Sequence, residues 1–549
     1  MSCKPLIVQS DNTIMFHIDC DCFKEVREFI SKFSVALKTP EHIHIYKIDA
    51  VSLWNASVLG YSEKEILDWL KKYSQFTLPS SVKYFVEKQI SRYWKIKLEK
   101  YENNKNLFII KFLDKIVFKE VTKLNKFYDF ILEELEENSF LVKKEFRWKI
   151  KAYLIELWFP VEDLIWYEPW DFLEITKKWD WEFRDYQKEA IESFWWAWKE
   201  NYWAWVIVLA CWWGKTVVWI WTMLKAQTKT LIITTTANAV YQFKNEILNK
   251  TNLKEEQVWV FVWKDKEIRD ITITTYSMLT FRDHKTKAFK YTELFDKNNW
   301  GLLIYDEVHM LPAPVFSFST SLQAKRRLGL TATLVREDWK EDLIFGLIWP
   351  KRYDMPWKDL ECIWFIAKVK VIEIRVPLAD SIIDKYYDAD SKRTRFKIAA
   401  SNPEKIEKVK ELIKKHKKDK ILIIWEYLEQ LDEIQKEVWV NIITWRIKPE
   451  KREEIFNKFR SWEINILLLS RVANFAIDLP DANVLIQISG LYGSRQEEAQ
   501  RLGRILRPKK GNNTATFYSL VTKDSVEVEY AEKRQVFLLE QGYEYDIEF

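Results

Sequence analysis

The sequence of this chain predicts an α/β protein, with two parallel-sheet lobes preceded by an α+β N-terminal region. Three observations predict it. From Phe183 onward, short apolar runs rich in β-branched residues alternate with helix-like stretches, which is the pattern of a parallel sheet. A second alternating block starts near residue 420. Only the first block holds a phosphate loop, Val206–Thr216 (VIVLACWWGKT), where an apolar strand stops abruptly and Gly214-Lys215-Thr216 opens a helix.

Taken in order, the elements divide into four expected domains at 1–75, 76–175, 176–365 and 366–549. The first carries helix-like segments at Phe23–Leu37 and Ser62–Tyr73, with Ser62 as N-cap and Glu65 three residues on. The second alternates Lys-rich amphipathic stretches with apolar runs such as Leu107–Ile110, and reads as a small α+β module. In the third, strands are expected at 205–210, 230–235, 257–262, 271–275, 301–305 and 327–331, with helices beginning near Lys215, Ala237 and Tyr276. In the fourth, strands are expected at 421–425, 440–444, 464–469, 483–488 and 514–520, and helices at 427–437, 449–459, 494–506 and 524–540. There is no short-period repeat and no heptad run.

Composition excludes several classes. Hydrophobic content of 48% and charged content of 30% describe a globular chain, not a disordered one. The 5 cysteines fit neither a disulfide framework nor a four-ligand zinc site, so Cys20 and Cys22 read as ordinary thiols. No signal peptide opens the chain and no run of about 18 apolar residues occurs, so a cytoplasmic, membrane-free protein is expected. The 10 Gly and 29 Trp are abnormal. An ordinary chain of this length holds roughly 38 Gly. The surplus Trp stand where Gly belongs: Trp339, Trp349, Trp439, Trp445, Trp462, and Trp212 and Trp213 in the phosphate loop. The expectation is that UGA codons, translated as tryptophan in this sequence, are read as glycine in the source organism. Trp54, Trp69, Trp300 and Trp357 read as ordinary tryptophans.

The phosphate loop organises the candidate site. Backbone N–H groups of Leu209, Ala210, Cys211, Trp212, Trp213 and Gly214, with the helix dipole, would face the phosphates of ATP. Lys215 would reach the β- and γ-phosphates, and the Thr216 hydroxyl would meet Mg²⁺. After a second apolar run, Asp306 would hold Mg²⁺ through water and Glu307 would polarise the attacking water. Arg184 and Gln187 precede the first strand, and Gln187 has the two hydrogen-bonding groups that read an adenine edge; the alternative is a surface glutamine. Thr331 and Thr333 end a strand and would link Glu307 and His309 to a moving second lobe. Gln500–Arg507 (QRLGRILR) sets Arg504 and Arg507 on one helix face, beside Gln500 and Gly503, with Asp478 upstream. Such arginines neutralise charge on the γ-phosphate.

These motifs carry a family resemblance. Tyr305–Phe316 (YDEVHMLPAPVF), Gly329–Asp338 (GLTATLVRED) and Ala473–Asn483 (ANFAIDLPDAN) resemble the xeroderma pigmentosum group B (XPB) branch of superfamily 2 DNA helicases, in its bacterial form. Lys351–Leu360 and Gly493–Gln500 add to the likeness, which covers essentially the whole chain. The resemblance implies two RecA-like lobes and an ATP-dependent 3′→5′ DNA helicase or double-strand DNA translocase acting in DNA repair. It also implies a module like a damage-recognition domain in the N-terminal part, and a nuclease or repair factor as partner. Arg336, Glu337 and Asp338 form a triplet particular to the family and are assigned to DNA.

Net charge is only +5, from 86 basic and 81 acidic residues, so contact with double- or single-stranded DNA must be local. Candidate contacts are Arg282 and the run with Lys392, Arg393 and Arg395, which stands where the family carries a thumb-like insertion. A monomer is expected. Two alternatives stay open: a catalytically dead DNA-binding relic, if Trp212 and Trp213 are real, and an RNA helicase or restriction-type motor.

Overall fold

A computed structural model describes residues 4–549 apart from 165–171, 179–186, 189–203, 209–214, 284–289, 309–321, 332–350, 355–366, 426–440, 471–481, 491–500, 507–512 and shorter stretches of one to four residues. The first packed unit is a four-stranded antiparallel sheet in the order Leu6–Val8, Thr13–His17, Ile43–Lys47, Val35–Lys38. Its inner face follows period-two patterning, with Ile14 and Phe16 buried and their neighbours half-buried. The helix expected at 23–37 ends at Ile30. Val35–Lys38 is an edge strand instead, because pairing with Ile43–Lys47 overrides its local helix preference. Ser62 forms the expected capping box with Glu65, each satisfying the other's backbone N–H. Helix Ser80–Arg92 buries Val82 and Val86 in this same core, so the first unit closes beyond the expected boundary at 75.

The second unit is a five-stranded sheet in the order Ile131–Glu136, Ser139–Lys143, Leu107–Phe112, Ile96–Lys100, Val161–Asp163. Helix Lys115–Thr122 starts on Asp114, whose carboxylate accepts from the Ile116 and Val117 N–H groups. Helix Arg147–Glu156 is tied to the last strand by Asp163, which accepts from Arg147 and Lys151.

Two seven-stranded sheets follow, in each of which every pairing is parallel. The first runs Val258–Phe261, Ile271–Thr275, Thr230–Thr234, Trp300–Asp306, Ala324–Thr331, Ala204–Val208, Lys351–Asp354. The second runs Asn441–Ile443, Ile466–Leu469, Ile421–Ile424, Val484–Gln487, Thr514–Thr522, Lys368–Val376, Tyr545–Glu548. Thr230–Thr234 and Ile421–Ile424 are buried along their whole length, as strands covered on both faces must be. Residues 172–178 lie along the first sheet's helices: Leu173 N–H donates to Gln227 O, and Asn252 N–H donates to Thr176 O. The fold joins the N-terminal units and the first parallel sheet in one compact body; residues 355–549 form a second.

Lys368–Val376, Lys351–Asp354 and Tyr545–Glu548 were not expected as strands. Lys368–Val376 alternates charge with apolar residues at its start, which disguises a strand paired on both sides.

Trp158, with φ of 63°, and Trp462, with φ of 66°, each stand just past a helix end in the left-handed region, as Gln227 does at 48°.

Candidate nucleotide site

Three neighbouring strands build the site. Ala204–Val208 pairs with Ala324–Thr331, which pairs with Trp300–Asp306. Their register sets Val208 opposite Thr331 and Asp306 opposite Leu330. All three end on one edge of the sheet, the edge where open α/β sheets bind ligands. Helix Lys215–Ala226 starts at that edge, and Lys215 Nζ donates to Glu307 Oε1 at 2.8 Å. Asp306 closes its strand, and its Oδ2 accepts from the Thr234 hydroxyl at 3.1 Å. The phenol of Tyr276, on a nearly wholly buried side chain, donates to the Asp306 backbone carbonyl at 2.9 Å. Thr234 and Tyr276 were not singled out from the sequence. Thr234 ends one buried strand and Tyr276 directly follows another, and that position was the available signal.

Glu307 has φ of 51°, a conformation an L residue with this side chain adopts at a cost of order 1–3 kcal/mol. The turn is held because Val308 is wholly buried against Gly329. A Cβ on Gly329 would stand 2.9 Å from Val308 Cγ2, so only glycine allows this approach.

Burial, then the neighbouring Glu307 charge, pushes Asp306 up to about 6, while Lys215 and the Thr234 hydrogen bond act against the rise. Ionised Asp306 therefore costs stability above about pH 6, and the cost fades as pH falls towards 3.8, the ordinary value. Asp306→Asn is expected to raise the melting temperature of the nucleotide-free protein near pH 8 and to leave it unchanged near pH 4. A variant no more stable than the parent at pH 8 would rule out this account.

The other expected residues sort clearly. Gln187 is buried, 5% exposed. Thr216 lies in the first turn of the Lys215 helix, and Thr331 is wholly buried. Arg282 is exposed just beyond helix Tyr276–Leu279. Lys392 and Arg393 are exposed on helix Lys392–Ala400, where Lys392 pairs with Glu529 at 3.1 Å. Arg395 turns back on its own chain and donates to the Ala389 and Tyr387 carbonyls. Gly503 is helical beside Arg501, a buried arginine whose Nη1 donates to Gln487 Oε1 at 2.7 Å. Arg184, Leu209, Ala210, Cys211, Trp212, Trp213, Gly214, His309, Thr333, Arg336, Glu337, Asp338, Asp478, Gln500, Arg504 and Arg507 lie outside the described residues.

Similarity to known proteins runs the length of the chain. Residues 360–548 match the family model described as ERCC3/RAD25/XPB C-terminal helicase. Residues 180–336 match that of the type III restriction enzyme res subunit, and residues 6–136 a helicase conserved C-terminal domain. A Mycobacterium tuberculosis protein named DNA 3'-5' helicase XPB is 42% identical over 549 residues, covering 100% of this chain and 98% of the relative. A protein of the same name from Kineococcus radiotolerans is 39% identical, covering 100% and 97%. The Saccharomyces cerevisiae general transcription and DNA repair factor IIH helicase/translocase subunit XPB/SSL2 is 30% identical, covering 99% of this chain and 72% of its own.

Proposed function

We propose a function from one premise: this chain belongs to the XPB family of DNA helicases. It is an ATP-dependent 3′→5′ DNA helicase or double-strand DNA translocase acting in DNA repair. The observation that carries the reading is the Lys215–Glu307–Asp306 cluster at the carboxyl edge of a parallel sheet. The full-length likeness to proteins named as helicases favours a motor over a DNA-binding relic.

The residues present fit a Mg²⁺–nucleotide. Asp306 adjoins Glu307, and burial with the Glu307 charge holds Asp306 above its ordinary value, a cost that a bound cation would relieve. Asp306 and the Thr216 hydroxyl would hold it, and the cation would neutralise charge on the phosphates. Lys215 Nζ donates to Glu307 Oε1. An incoming polyphosphate competes for that ammonium. Lys215 then turns to the phosphates, and Glu307 is released as the group that orients the attacking water. Thr234 and Tyr276 hold the Asp306–Glu307 turn in place by its side chain and its backbone.

Arg504 and Arg507 are assigned to the γ-phosphate, and Arg282, Arg336, Glu337, Asp338, Lys392, Arg393 and Arg395 to DNA, on the family likeness. Among the described residues, no helix is long and apolar enough to cross a membrane. A nuclease or repair assembly is the partner class the family suggests. The test is ATP turnover of protein from the natural source, with and without duplex DNA, single-stranded DNA and RNA. Stimulation by DNA above RNA is expected; stimulation by RNA alone would replace this reading with an RNA helicase.

A further inference from the structure

Two tryptophans occupy backbone positions made for glycine. Helix Arg147–Glu156 is followed by Leu157, and then Trp158 N–H donates to Ile155 O at 2.8 Å and Phe159 N–H to Leu154 O at 2.8 Å. Helix Pro449–Arg460 ends in the same way: Trp462 N–H donates to Phe459 O at 3.4 Å and Glu463 N–H to Lys458 O at 3.0 Å. This crossed pair of bonds is the Schellman motif, and its C′ residue must be left-handed. Glycine fills that place because it has no Cβ to collide with the carbonyl that follows. Here both C′ residues are tryptophan, at φ of 63° and 66°.

Their indoles gain little in return. Trp158 is 42% exposed and Trp462 57% exposed. Trp158 meets Trp54 at a tilt, with ring centroids 6.1 Å apart, and Lys420 lies 4.4 Å over the Trp462 ring. Three other tryptophans behave differently. Trp54 is buried and donates to Gln89 O, Trp300 is buried and donates to Phe295 O, and Trp69 stacks on Phe29 at 4.1 Å. All three read as ordinary tryptophans in the sequence.

We infer that the native chain carries glycine at 158 and 462, and by the same decoding at 212 and 213, so that the nucleotide loop is rich in glycine. Backbone N–H groups can then approach a polyphosphate without side chains in the way. Glycine in the loop matters through the proposed function; glycine at the two helix ends stands independently of it.

The experiment is mass measurement of tryptic peptides of the protein from its natural source. Ser461–Arg471 contains one tryptophan position, Trp462, and Ile48–Lys64 contains one, Trp54. The expected result is glycine in the first peptide and tryptophan in the second. Tryptophan in Ser461–Arg471 overturns the inference, whatever the enzyme does. A second arm uses recombinant chain that keeps all 29 tryptophans. Trp158→Gly and Trp462→Gly should each raise its melting temperature, and Trp54→Gly should lower it. A fall for both helix-end variants overturns the inference as well.

Discussion

Lys215→Ala and Glu307→Gln will each abolish DNA-stimulated ATP hydrolysis, and only the first will weaken ATP binding. The two residues are in contact, Nζ to Oε1 at 2.8 Å, with side chains mostly enclosed. Yet their expected tasks differ. An ammonium that meets the phosphates in both ground and transition states contributes to binding and to rate. A carboxylate that orients water contributes only as the bond to the γ-phosphate breaks. Loss of one such preorganised group costs about 10²- to 10³-fold in turnover. Glu307→Gln keeps the shape of the side chain and removes its charge. It also frees Lys215 from a competing anion, so the variant should bind ATP at least as tightly as the parent. Turnover and binding of a fluorescent ATP analogue, measured side by side on glycine-restored protein, check this. Unchanged turnover in either variant would remove the site assignment. Loss of ATP binding in Glu307→Gln would show that Glu307 acts in binding and not only in turnover.

The parts of this site legible in the sequence were those fixed by local chemistry. A strand, a tight loop and a helix start are written in consecutive residues, so Lys215 and Asp306 were found at the right ends of their elements. The parallel strands from 204 to 331 and from 421 to 522 were legible because both faces are covered and their residues are mostly apolar. What was hidden depends on partners far along the chain. Val35–Lys38 looks helical until its neighbour strand is known. Lys368–Val376 reads as an exposed alternating segment, yet Thr514–Thr522 and Tyr545–Glu548 flank it. Tyr276 reaches Asp306 across the intervening strand Thr230–Thr234, and no spacing rule links residues in that way. The carbonyls that Arg395 meets, on Tyr387 and Ala389, have no signature in the sequence.

The largest stability effect will come from a pair that the sequence hid completely. Lys405 lies in the first turn of helix Glu404–Lys415 and Glu527 in the first turn of helix Val526–Glu540, and both side chains are 0% exposed. Lys405 Nζ donates to both Glu527 oxygens, at 2.8 and 2.7 Å, and to Ile488 O at 2.9 Å. Glu527 also accepts from Thr522 N–H at 2.9 Å. Burial pulls the Lys405 ammonium below its ordinary value, and Glu527 opposes that shift. Lys405→Met removes the cation bonded to buried Glu527, which costs about 3–5 kcal/mol. Adding Glu527→Leu removes the stranded charge and should recover much of that loss. It leaves the Ile488 carbonyl and Thr522 N–H unmatched, at about 1–3 kcal/mol for each such group. Hydrogen exchange in strands Val484–Gln487 and Thr514–Thr522 of the full chain reads the effect. A single variant as protected as the parent, or a double variant less protected than the single, would refute the account. Replacing such a pair by apolar groups is often neutral for stability, so its value lies in direction. It fixes Ile488 and, beyond it, Gly490, where a Cβ would stand 2.3 Å from the Arg534 guanidinium carbon.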